Sequence, residues 1–104
     1  MSGTVVNLLN GASTPGPGIW HPNPGVLSTY TALLYGSGDV EAQILIEFSN
    51  NGSDVVTGIT FNLAGTDSVS DGITPPVPCV AALVRASLVS IAGSGAGACA
   101  WLGH

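Results

Sequence analysis

Two histidines, two cysteines, six carboxylates and one arginine are the side chains of this 104-residue chain suited to acid–base, nucleophilic or metal chemistry. His21 stands between Trp20 and Pro22, and His104 closes the sequence. With no H-x-x-x-H, no C-x-x-C and no carboxylate cluster, neither histidine joins the three or four ligands a metal requires. Asp39, Glu41 and Glu47 offer oxygens for calcium, but on one strand Glu41 and Glu47 would lie roughly 20 Å apart. A nucleophilic serine needs a base and an orienting group, and no G-x-S-x-G elbow supplies the local geometry. The run Gly93-Ser94-Gly95-Ala96-Gly97 has the composition of a phosphate loop. Such loops join a strand to a helix and end in Lys-Ser/Thr, whereas the sole cation of this chain is Arg85, upstream of the run. Asn51-Gly52-Ser53 fits a glycosylation sequon, yet without a secretory leader it is better explained as turn chemistry. The expectation is a protein that is not an enzyme, with no catalytic, cofactor-binding or metal-binding residues.

Charge narrows the partners. Only 7% of residues are charged and the formal net charge is −5, so no basic surface exists to neutralise a phosphate backbone and nucleic-acid binding is not expected. Mean hydropathy is +0.49. The apolar residues are nevertheless broken by Gly, Ser, Thr and Pro before any run of about 18 forms, so no membrane span is expected. MSGTVVNLLN has neither the basic start nor the apolar stretch of a secretory leader, and the chain is read as made in the cytosol. With a hairpin at Gly93–Gly95, Cys99 would lie across from about Ser87, which puts Cys79 out of bridging range within that hairpin. Buried free thiols are expected, with a bridge between copies or through a bent strand left open.

The elements that must position these side chains read as strands. In Glu41–Phe48, Ala42, Ile44, Ile46 and Phe48 share one face and Glu41, Gln43, Leu45 and Glu47 the other, the period of a half-buried strand. Asn51-Gly52 signals a tight hairpin into Val55–Leu63, where Ile59, Phe61 and Leu63 point inward and Gly58 marks a bulge. Ser28–Tyr35 reads as a strand hairpinned to the Glu41 strand through Gly36-Ser37-Gly38-Asp39, and a further short segment surrounds Val69. Pro75-Pro76-Val77-Pro78 predicts an extended crossing between sheets. Val80–Ile91 is a strand in preference to a helix, with Val84, Ala86 and Leu88 on one face and Leu83, Arg85, Ser87 and Val89 on the other. Ala96–Leu102 closes a hairpin with it. Residues 1–27 are an arm or long loop rich in proline and glycine, with a first strand near Thr4–Leu9, and residues 28–104 form the domain. Seven or eight short strands predict an all-β antiparallel sandwich or jelly roll.

Arg85 falls on an outward face, where its guanidinium can pair with Glu41, with Glu47 or with a carboxylate of a neighbouring subunit. Leu45, Leu83, Val89, Trp20 and Trp101 occupy faces a monomer leaves wet, so these five and Arg85 are the candidate interface, and a homo-oligomer is expected. The arm could lie across a neighbour. The pieces Ile46-Glu-Phe-Ser-Asn-Asn-Gly52, Val84-Arg85-Ala86 and Ile91-Ala-Gly-Ser-Gly-Ala96 occur in the order and spacing of a group of small virion proteins of tailed bacteriophages, which residues 40–103 resemble. The resemblance implies a non-enzymatic structural protein, located in the virion. It would decorate or cement the capsid, with the major capsid protein or other virion proteins as partners. A tail or head–tail component, a carbohydrate-binding sandwich using Trp20 or Trp101, and a disulfide-bridged adhesin or pilin-like subunit are the alternatives.

Overall fold

Alternation does make Glu41–Phe48 a strand, but the chain neither starts nor stops there. In a computed structural model describing residues 5–24, 27–78 and 81–104, it belongs to a much longer element. The order is β1 (Val5–Ala12), β2 (Gly16–Pro17), β3 (His21–Pro22), β4 (Leu27–Ser49), β5 (Val56–Pro78) and β6 (Leu83–Gly103). All pairings are antiparallel, in one sheet of order β1-β6-β4-β5 with β2 and β3 also on β6. The all-β antiparallel fold is therefore as expected. Among the described residues there are six strands, three of them long.

A straight strand of the length of β4 would span roughly 75 Å. The longest dimension of the molecule is 38 Å. Tyr30 and Phe48, near opposite ends of β4, meet edge to face with ring centroids 6.1 Å apart. Each long strand must therefore fold back on itself, and the places where it does so lie side by side. Gly38 in β4, Asp67 in β5, and Gly93 and Gly95 in β6 have φ of 76°, 65°, 127° and 63°. The pairing register slips at the same level, between Tyr35 and Asp39 toward β5 and between Tyr35 and Glu41 toward β6. Asp67 ties two of the bends together by accepting the Gly38 N–H at 2.8 Å. At Gly93 a side chain would also meet Val40 Cγ1 at 2.8 Å and the Asp39 carbonyl oxygen at 3.0 Å, so this crease needs glycine.

The sheet thus folds like a book, an arrangement compatible with a sandwich. One leaf holds β1 with residues 27–35, 68–78 and 96–103. The other holds β2 and β3 with residues 39–49, 56–66 and 83–92. Tyr30, Ala32, Leu34, Ala98, Ala100 and Leu102 face Ile44, Ile46, Phe48, Phe61, Val84, Ala86 and Leu88 in one core. The hairpins expected at Gly36–Asp39 and Gly93–Gly95 do not form. The left-handed glycines there crease strands that carry on with the same neighbours. Cys99 consequently pairs with Leu33 of β4, and Ser87 pairs with Leu45. Cys99 is a free, buried thiol whose Sγ accepts the Gly11 N–H at 3.3 Å. Thr4, Cys79 and Val80 lie outside the described residues.

Other expectations hold with changes. The inward set Ile59, Phe61 and Leu63 packs on the core, and Gly58 is the extra residue where the register slips between Ile46↔Ile59 and Glu47↔Thr57. The turn after Ser49 is wider than a two-residue hairpin, since Phe48 pairs with Val56 and only Gly52 is left-handed. Asn51 Oδ1 accepts the N–H groups of Ser53 and Asp54, and Ser49 Oγ accepts that of Gly52. β5 remains a strand through Pro78, opposite Leu27, whereas Leu83 lies opposite Ser49. The proline run is thus itself part of a strand of the first leaf, and Leu83 already lies on the second. The arm is paired within its own chain. Residues 5–22 run along the edge of β6 on both leaves of their own chain.

Candidate interaction surface around Arg85

The inward set Val84, Ala86 and Leu88 forces Arg85 and Ser87 outward on β6. On the neighbouring strand Ile46 and Phe48 do the same for Glu47, and the register sets Glu47 opposite Arg85. Arg85 Nε donates to Glu47 Oε1 at 3.0 Å, and Ser87 Oγ donates to the same carboxylate oxygen. The two ionic side chains are only 19% and 12% exposed. Their cover is the arm. Gly18 donates its N–H to the Ala86 carbonyl at 2.8 Å and His21 pairs with Val84. That leaves Trp20 between them, with Arg85 Cζ 4.3 Å from its ring centre.

Of the two intramolecular partners the sequence allowed, the structure selects Glu47. Glu41 lies toward the crease, opposite Ala64 and Ala92. The latch therefore joins three segments distant in sequence: the arm through Trp20, β4 through Glu47 and β6 through Arg85 and Ser87. A charge-assisted hydrogen bond stacked on an aromatic face gives the arm a fixed position.

Trp20, Leu45, Leu83, Arg85 and Val89 share the outer face of the second leaf. Leu45 is half-buried between Thr60 of β5 and Ser87 of β6, Leu83 is half-buried beside Pro22, and Val89 is 46% exposed near the crease. Trp101 is not brought to them. It sits half-buried on the outer face of the first leaf, between Asn7 and Thr31. Ile19, 77% exposed in the arm, Val56, 66% exposed at the start of β5, and Val5, 65% exposed at the start of β1, are with the less exposed Tyr35 and Val55 the apolar surface residues that sequence patterning missed. Ile19 adjoins Trp20 in a segment without periodicity, and its isolation among prolines and glycines was the available signal. Ser87 was placed on the correct face without a role. Among the described residues no three His, Cys, Asp or Glu side chains come together. No protein-family model matches the chain, and neither a curated protein nor a solved structure is found similar to it.

Proposed function

We propose that this protein is a non-enzymatic structural protein of a tailed-bacteriophage virion, decorating or cementing the capsid through contacts between subunits. The supporting observation is the outer face of the second leaf, which carries Leu45, Leu83 and Val89 together with a cation already neutralised by Glu47 and covered by Trp20. Arg85, Glu47 and Ser87 satisfy one another and hold Trp20 of the arm, whereas a catalytic site requires such groups to converge on a space a substrate can enter. What remains outward is a mixed, weakly charged surface in which half-buried Leu45 and Leu83 and exposed Val89 stand among Gln43, Thr60, Asn62 and Ser90, a composition compatible with a surface that meets protein. The dimensions of 38 × 34 × 17 Å are those of a thin tile, suited to lying flat on a shell. The partner is the major capsid protein or another virion protein. Trp20, turned onto Arg85, has a ring face already occupied, which speaks against its use as a platform for sugars.

The test is mass spectrometry of purified particles of the phage that encodes the chain, with heads and tails separated. The expected result is a fixed stoichiometry with the major capsid protein in the head fraction. Absence from particles, or recovery with tails alone, overturns the proposal.

A further inference from the structure

The two edges of the sheet are treated differently. Along β6 the arm covers the edge on both leaves, with β1 against residues 98–103 and β2 and β3 against residues 83–88. Along β5, the opposite edge, no strand pairs with the outer side among the described residues. An open edge presents unpaired N–H and C=O groups to any extended chain, and proteins that remain monomeric blunt it with charge, proline or irregular backbone. The half of β5 on the first leaf is blunted in this way, by Asp67 in a left-handed conformation, Asp71, Pro75, Pro76 and Pro78. The half on the second leaf, residues 56–66, reads VTGITFNLAGT and contains no charged residue and no proline. Its single irregularity is the bulge at Gly58.

We infer that residues 58–66 of β5 pair antiparallel with the same residues of a second copy, joining the second leaves of two molecules into one continuous sheet. Three observations select this occupant. The chain carries a net charge of −5, so a second copy is repelled wherever acidic side chains meet, and this is a stretch of the open edge with none. Antiparallel self-pairing is closed by a two-fold axis, so it gives a dimer rather than a fibre. Its fullest overlap over residues 58–66 centres on Asn62, so that inward Phe61 and Leu63 stay inward and outward Thr60 and Asn62 stay outward across the junction. Asn62 then faces Asn62 of the second copy. The pairing needs no capsid and stands whether or not the virion reading does.

Light scattering of the purified full chain across about 1–200 µM tests it. The expected mass is twice the 10.3 kDa of one chain. Asn62→Lys and Asn62→Glu each place like charges opposite one another at the axis and should give monomers with unchanged circular dichroism. An equimolar mixture of the two should return to the doubled mass. A wild-type monomer throughout that range overturns the inference, as does an oligomer that either substitution leaves intact. If both variants unfold, protection of the residue 58–66 amides from hydrogen exchange as wild-type concentration rises supports it, and protection independent of concentration overturns it.

Discussion

Arg85→Ala removes three things at once: the 3.0 Å bond to Glu47, the cation against Trp20, and the counter-charge of a carboxylate only 12% exposed. A fully exposed pair would be worth about 0–1 kcal/mol. Breaking a fully buried one costs about 3–5 kcal/mol. The site lies between these limits. A hydrogen bond to a charged group contributes about 1.5–3 kcal/mol, and the cation–π contact adds about 0.5–1 kcal/mol. Some loss is recovered because Ser87 still donates to Glu47. The expected destabilisation is therefore about 2–4 kcal/mol, or a fall in Tm of roughly 10 °C or more for a chain of this size. Urea unfolding followed by circular dichroism, with an unchanged m-value, measures it. Arg85→Lys keeps the charge but not the planar group over Trp20, and should retain about half of the effect. In the Arg85→Ala background Trp20→Ala should cost about 0.5–1 kcal/mol less than in wild type, because the contact is already gone. A loss below about 0.5 kcal/mol for Arg85→Ala, with unchanged tryptophan fluorescence, would mean that the arginine is simply solvated and that nothing latches the arm.

The crease makes its own predictions. Asp67→Asn keeps both the acceptor for the Gly38 N–H and tolerance of a φ of 65°, and should lie within about 0.5 kcal/mol of wild type, whereas Asp67→Ala should lose about 1–2 kcal/mol in the same urea titration. Tyr35 lays its ring over Gly97, where a Cβ would run into the phenol. Gly97→Ala should cost no more than about 1 kcal/mol, because Tyr35, 40% exposed, can swing its phenol aside, and any cost should vanish when Tyr35→Ala is added, a coupling read from a double-mutant cycle.

Local patterning revealed those parts of the fold whose partners lie close in sequence. The period of Glu41–Phe48 set the face of β4, and the polar residues between Ser49 and Asp54 set the reversal into β5. The pairing of residues 43–48 with residues 56–62 followed from both. The creases were not legible, because a left-handed glycine has the same local chemistry whether the strand reverses within its sheet or folds over with its neighbours. Only the long-range alignment of Gly38, Asp67 and Gly93 distinguishes the two cases, and it depends on pairings across the whole chain. For the same reason the outward face of Arg85 was readable and the choice of Glu47 over Glu41 was not. The Pro/Gly spacing of the arm announced extended backbone without saying whose edge it would cover. Trp101 and Trp20 appeared equivalent in composition, and the fold sends them to opposite outer faces.

The proposed capsid role places the outer face of the second leaf against a virion surface. Phage capsid shells assembled without this protein, titrated with wild type and with Leu45→Glu/Leu83→Glu and sedimented, test that proposed contact directly. Saturable binding of the wild type is expected, with an affinity at least about 100-fold weaker for the folded double variant, the equivalent of about 2.7 kcal/mol. No binding of the wild type, or equal binding of both, would contradict it.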